Sequence, residues 1–283
     1  MTENKTTKIF KEWRSIVVAM LLFVVSAPSA KAMCSDHSDM DVVLLGDSNT
    51  WLGGEDCSNS KGWSKWFKDK FCPKSISSYA RSGATWTNTP STVCNLTENI
   101  EVLGDNNVVY NQVCRLKYAY AVGKQPLPEL IIISAGTNDA WFSEHRPYAM
   151  ERRSKLDSNE ENIISFEPSK NLTIEESITL CCELLREDFP DAIIVLLTPL
   201  QTIKVDKSII GFVGDLIESV GSDLGCYVIR QDIEGCVRSD EESKVKVNTY
   251  DGTHTSEQGA RLNGEMIACK VCEFICERNK NSE

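Results

Sequence analysis

The chain has 283 residues, 41% hydrophobic and 25% charged, which suits one globular domain able to bury its own core. Its net charge of −11 and pI of about 4.9 exclude nucleic acid and anionic lipid surfaces as natural partners, because both demand clustered Lys and Arg. A neutral small molecule or glycan meets no such repulsion.

Residues 1–32 have the form of an export signal. Lys5, Lys8, Lys11 and Arg14 precede an unbroken apolar run at 16–25, Pro28 ends it, and Ala30-Lys31-Ala32 has the small-x-small pattern of a cleavage site. The run is shorter than the ~20 residues of an ordinary membrane span, so an uncleaved anchor is the lesser expectation, and no stable membrane partner is expected after cleavage. Removing the segment leaves 25 cations and 39 anions, a net charge of −14. All twelve cysteines lie beyond it, and export permits disulfides. Cys57, Cys72, Cys94 and Cys114, in loop-rich sequence, are the expected candidates; others suit buried thiols.

The next stretch, V-V-L-L-G-D-S-N-T-W at 42–51, begins as a strand buried on both faces and stops at Gly46. Asp47, Ser48, Asn49 and Thr50 then suit a turn or a helix start. A small polar residue at the carboxyl end of a buried strand sits where open α/β sheets bind ligands, so Ser48 reads as a candidate nucleophile. Residues 62–71 have amphipathic helical spacing, and 75–79 suit a second strand running into the Gly83 loop. A helix is expected over 108–122, closed by Gly123. Residues 130–134 (L-I-I-I-S) form another buried strand, ending in Gly136-Thr137-Asn138-Asp139. Residues 140–171 are charged and aperiodic, an excursion from the sheet that suits a lid. Thr173-x-x-Glu176 is a capping box opening a helix to about 189. Strands at 192–197 and 226–230 flank a helix at 208–224. After Asp251-Gly252-Thr253-His254, Thr255 or Ser256 caps a last helix to about 277. Strands alternating with helices imply right-handed crossovers: an α/β fold, a flavodoxin-like three-layer α/β/α sandwich on about five parallel strands.

Four loops thus follow strands and carry polar groups: Gly46-Asp47-Ser48, Gly83, Gly136-Thr137-Asn138-Asp139 and Asp251-x-x-His254. In this order and context the sequence resembles the SGNH (GDSL-like) hydrolases, over about residues 41–275. A serine hydroxyl needs a base in contact, and His254 is the credible one, because His37 lies near the mature terminus and His145 in the excursion. Asp251 can fold back to hold the imidazole tautomer, completing a Ser-His-Asp triad. The resemblance implies an oxyanion hole made of the Ser48 N–H, the Gly83 N–H and the Asn138 side-chain amide. Glycine at 83 lets backbone approach a ligand, and Asn138 offers donors that an aspartate lacks. Asp47 and Asp139 read as acceptors that fix loops.

Trp51, Trp86 and Trp141 lie close to these motifs, Trp63 and Trp66 in the core. Trp86 and Trp141 are weighed as substrate-binding walls against simple packing. Cys269-x-x-Cys272-x-x-x-Cys276 and Cys181-Cys182 fall on predicted helices without a nearby histidine, so no metal is expected, nor any organic cofactor. The expected function is an exported serine esterase removing small acyl groups, acetyl foremost, from carbohydrate. The alternatives are a lipase or thioesterase, or a non-catalytic glycan-binding protein of the same fold.

Overall fold

A computed structural model describes residues 39–97, 102–152 and 165–280. The signal expected at 1–32 lies outside them, as does part of the 140–171 excursion.

The first strand, β1 (Asp41–Gly46), is buried along its whole length. A four-residue helix, α1 (Ser48–Trp51), follows at once, then α2 (Trp63–Phe71), β2 (Ser75–Ser78) and α3 (Val109–Ala121). Next come β3 (Leu130–Ser134), the short α4 (Thr137–Trp141), α5 (Ile174–Asp188), β4 (Ile193–Leu197) and α6 (Lys207–Asp223). The chain closes with β5 (Tyr227–Ile229), the single turns α7 (Gln231–Glu234) and α8 (Ser239–Glu242), and the long α9 (Glu257–Lys280). All strand pairs are parallel, in the order β2-β1-β3-β4-β5.

The alternation of side chains across the strands builds two cores. Val43, Leu45, Ile131, Ile133, Ile194 and Leu196 face one way, into a cluster completed by α3, α5 and α6. The opposite residues, among them Val42, Leu44 and Ile132, are equally buried, and α2 packs against α9 on the remaining layer. Gly264 makes that packing close: a Cβ there would stand 2.3 Å from the Trp63 carbonyl oxygen. Trp63, Phe67 and Phe71 of α2 are fully buried, each worth roughly 1.5–3 kcal/mol by area removed from water. β2 (S-I-S-S) is the edge strand and is only partly buried; its polar residues blunt the open edge.

Local signals set the boundaries. Thr173 caps α5 in a reciprocal box: its hydroxyl accepts from the Glu176 N–H at 3.1 Å, and the Glu176 carboxylate accepts from the Thr173 N–H at 3.1 Å. Asp206 caps α6, accepting from the Ser208 N–H at 2.8 Å. What is described of the excursion is tied down: Arg146 Nη2 donates to the Gly104 carbonyl at 3.2 Å, and the Ile174 N–H donates to the Ala149 carbonyl at 3.3 Å.

The disulfide expectation needs correcting. Among the described residues no cysteine is joined to another by a disulfide. Cys57 is buried, with its thiol near Ser64, and the Cys72 thiol turns back at the end of α2 to the Asp69 carbonyl, 3.3 Å away. Cys94 and Cys114 do lie against each other.

Candidate active site

In this strand order β1 leads outward to β2 on one side and is flanked by β3 on the other. The carboxyl ends of β1 and β3 therefore open the crevice where such sheets bind ligands. The loops after these two strands carry Ser48 and Asn138.

The turn after β1 is pinned before the serine is reached. The Gln112 amide closes a ring on Gly46, accepting from its N–H at 2.7 Å and donating to its carbonyl at 2.8 Å. Gly46 has φ of +145°, and a Cβ there would fall 2.1 Å from the Ser134 carbonyl oxygen, so only glycine lets β1 and β3 meet so closely. Asp47 caps α1 by accepting from the Asn49 N–H at 3.1 Å. Burial pushes the Asp47 carboxyl up to about 6, against the opposing hydrogen bonds from Asn49 and Thr137.

Ser48 Oγ lies 2.9 Å from His254 Nε2, and His254 Nδ1 lies 2.7 Å from Asp251 Oδ2. Asp251 Oδ1 also accepts the backbone N–H groups of Thr253 and His254, at 2.9 and 2.8 Å. Partial burial raises the Asp251 carboxyl, but the imidazole and these two N–H donors outweigh it and hold the group below its usual value. An ionised carboxylate only accepts, so Nδ1 carries the imidazole proton and Nε2 is left to accept from the serine hydroxyl.

Asn49 fixes the distance between the two loops. Its side chain accepts from the Thr255 N–H at 3.1 Å and donates to the Thr253 carbonyl at 3.4 Å, gripping His254 on both sides. Tyr250 stacks on the imidazole, ring centroids 5.7 Å apart and planes within 16°. Upstream, the buried Glu242 carboxylate collects the N–H groups of Val247, Asn248 and Thr249 and the Thr249 hydroxyl, fixing the backbone that leads to Asp251.

The loops after β2 and β3 are bound to each other. Asp139 is fully buried and accepts from the N–H groups of Trp86 and Thr87, both at 2.9 Å, and from the Thr87 hydroxyl at 2.7 Å. Asn138 Nδ2 donates to the Ala84 carbonyl at 2.9 Å, so one of its two amide N–H groups is spent on the loop and one remains for a ligand. Gly83 has φ of +78°, and a Cβ there would fall 1.8 Å from the Val102 carbonyl oxygen. The missing side chain therefore serves close backbone packing.

Trp86 also needs correcting: it is fully buried in the core cluster and presents no face to a substrate. Trp141 is 38% exposed and stacks on Phe142, and Trp51 is 46% exposed. They stand at the ends of α4 and α1, three residues past Asn138 and Ser48. His145 is not part of this arrangement; with Arg146, Asp105 and Tyr148 it lines a cleft of about 460 Å³ beside Asn88. Among the described residues no three His, Cys, Asp or Glu side chains are placed to share a metal ion.

Sequence reasoning passed over Asn49, Gln112, Glu242 and Tyr250. Asn49 and Tyr250 adjoin the motifs and were within reach of inspection. Gln112 and Glu242 act on backbone, from a helix surface and a single-turn helix, and no spacing announces them.

Residues 42–166 match the GDSL-like lipase/acylhydrolase family. No curated protein sequence matches the chain. Among solved structures, an acetyl xylan esterase is similar over 81% of this chain and 98% of its own, at 14% identity and a TM-score of 0.51. A member of the lipolytic G-D-S-L family from Veillonella parvula covers 82% and 97%, at 13% identity and a TM-score of 0.50. A protein from Lactobacillus plantarum covers 85% and 99%, at 12% identity and a TM-score of 0.53. At these identities the structural likeness speaks for the fold. The family match runs from the first strand to beyond the third, so the chain carries a GDSL-like lipase/acylhydrolase domain match over that stretch and is a hydrolase, while the shared five-stranded scaffold bears out the fold.

Proposed function

We propose that this hydrolase is an exported serine esterase working through Ser48, His254 and Asp251, and that it removes small acyl groups, acetyl foremost, from carbohydrate. The observation that carries the triad is the unbroken line from Ser48 Oγ through the imidazole to the Asp251 carboxylate, with links of 2.9 and 2.7 Å. His254 Nε2 takes the serine proton as Oγ attacks the ester carbonyl. The oxyanion is received by the Ser48 N–H, the Gly83 N–H and the remaining Asn138 amide N–H. The imidazolium, steadied by Asp251, protonates the leaving alcohol, and a water activated by the same nitrogen releases the acid.

The basic and apolar pattern of residues 1–32 supports export. The carbohydrate part rests on Trp51 and Trp141, two exposed aromatic faces beside the serine and the oxyanion loop, suited to stacking on sugar rings. Trp86 takes no part in it.

Labelling with a fluorophosphonate probe tests the nucleophile: the wild type is expected to label and Ser48→Ala not to. An ester panel tests the substrate, with acetate released from acetylated glycans faster than longer acids from matched esters. A clear preference for long acyl chains would replace the deacetylase reading with a lipase or thioesterase one.

A further inference from the structure

We infer that Cys182 and Cys226 form a built-in disulfide site, closed by thiol–disulfide exchange once the chain meets a disulfide-bearing oxidant. The two sulfurs lie 3.9 Å apart across 44 residues of chain, one on the buried face of α5 and the other where the turn after α6 enters β5. Bond formation needs them at ~2.05 Å, which a side-chain rotation can supply when the backbones already face each other.

The surroundings are those of a reactive pair. Arg186 follows Cys182 by one helical turn and so shares its face of α5. Its Nη2 stands 3.9 Å from Cys226 Sγ and also donates to the Leu224 carbonyl, which fixes it beside the sulfur. The hydrogen bond from the Cys182 thiol lowers the Cys226 thiol from its usual value; burial opposes this, and the Arg186 guanidinium adds to the lowering. Cys182 itself is held well above its usual value by the same bond and by burial. The two thiols thus have separate roles, because the thiolate is the nucleophile and needs access. Cys226 is half-buried and within reach of solvent, whereas Cys182 is fully enclosed. Cys181, the neighbour of Cys182, points to a different face of the helix, toward Cys114, and does not compete.

The chemistry balances with an external disulfide, R–S–S–R, such as oxidised glutathione. The Cys226 thiolate attacks it, forming a mixed disulfide and releasing one R–S⁻. Cys182, losing its proton to that departing thiolate or to solvent, then attacks the Cys226 sulfur and expels the second R–S⁻. Two protein thiols are oxidised, one small disulfide is reduced to two thiols, and the protein loses two hydrogens. The closed bond joins α5 to the sheet edge β5, away from the Ser48 crevice, so it acts on stability and leaves the ester chemistry alone. The export reading says where the oxidant is met, but the site itself does not depend on it.

The test uses the purified full chain equilibrated in glutathione buffers from reducing to oxidising, alkylated, digested without reductant and mapped by mass. The expected result is a cross-linked species joining the Cys182 and Cys226 peptides, 2 Da lighter than their sum, whatever becomes of Cys94 and Cys114. With it, the oxidised protein melts about 5–15 °C above the reduced one, as closing a loop of this size in a chain of this length implies. Cys226→Ser should abolish that species and the ~5–15 °C of redox-dependent melting shift that it carries, and p-nitrophenyl acetate hydrolysis should stay the same in all forms. Recovery of both cysteines singly alkylated at the most oxidising ratio overturns the inference. So does a cross-link of either one to another cysteine. Loss of esterase activity in the untreated wild type bears instead on the triad.

Discussion

Replacing Asp251 by asparagine probes whether the carboxylate sets the imidazole tautomer or merely holds a loop. Asp251 Oδ1 accepts two backbone N–H groups at 2.9 and 2.8 Å, while Oδ2 faces His254 Nδ1 at 2.7 Å. An asparagine must choose which end of its amide turns to which side. Turning the NH₂ toward the backbone sets donor against donor and strands two N–H groups, at about 1–3 kcal/mol each, or about 2–6 kcal/mol in all. The amide oxygen therefore stays on the backbone, and the NH₂ faces Nδ1. Nδ1 must then accept, the ring proton moves to Nε2, and Nε2–H donates to Ser48 Oγ where it previously accepted. The base is lost although every heavy atom remains in place. The expected fall in kcat is about 10³–10⁴, or about 4–5.5 kcal/mol of barrier. Hydrolysis of p-nitrophenyl acetate measures it, with thermal melting as the control for fold. An Asp251→Asn enzyme within tenfold of wild type, melting normally, would refute the tautomer argument and reduce Asp251 to a turn residue.

Three further outcomes are expected. Asn138→Ala should lower kcat by about 10²–10³ through loss of one oxyanion donor; a change in KM with kcat intact would remove Asn138 from the hole. The Asp47 carboxyl, raised to about 6 by burial, favours its neutral form in the fold, so its contribution is full below the unfolded value of ~3.9 and is lost as pH rises through about 6. Asp47→Asn escapes that loss, and its stability relative to wild type should rise by about 2–3 kcal/mol between pH 4 and pH 7.5; equal differences at the two pH values would contradict the buried-acid account. Glu242→Gln turns an NH₂ toward a cluster of four donors, and should cost about 2–4 kcal/mol in chemical denaturation while lowering kcat, because the same backbone leads to Asp251 and His254. Unchanged kinetics with lowered stability would separate that loop from catalysis.

The scaffold was legible because its strands are short apolar runs bounded by turn residues. The expected strand at 130–134 coincides with β3, and the capping box at Thr173 starts α5 as read. The residues gathered around Ser48 were legible for a related reason: each ends a strand or precedes a helix, positions that sequence pattern fixes. Side-chain environment was not. Trp86 looked like a substrate wall from its neighbours, but Asp139 draws its backbone inward and the indole goes with it into the core. Gly83 carries a constraint that the sequence does not announce, the Val102 carbonyl brought beside it by tertiary packing. Loop content picked out Cys94 and Cys114, which do lie against each other, but sulfur contacts also depend on which helix face meets which strand, as Cys182 and Cys226 illustrate.

The hydroxyl and the imidazole that meet at the sheet edge are separated by 206 residues, almost the whole folded span. During translation at ~5–20 residues per second, the serine leaves the ribosome roughly 10–40 seconds before the histidine. Under the proposed triad, the nascent chain holds an unactivated alcohol throughout that interval. Competence would then arrive in one step, when the carboxyl-terminal segment docks and Asn49 closes on it, leaving an incomplete chain silent rather than partly active.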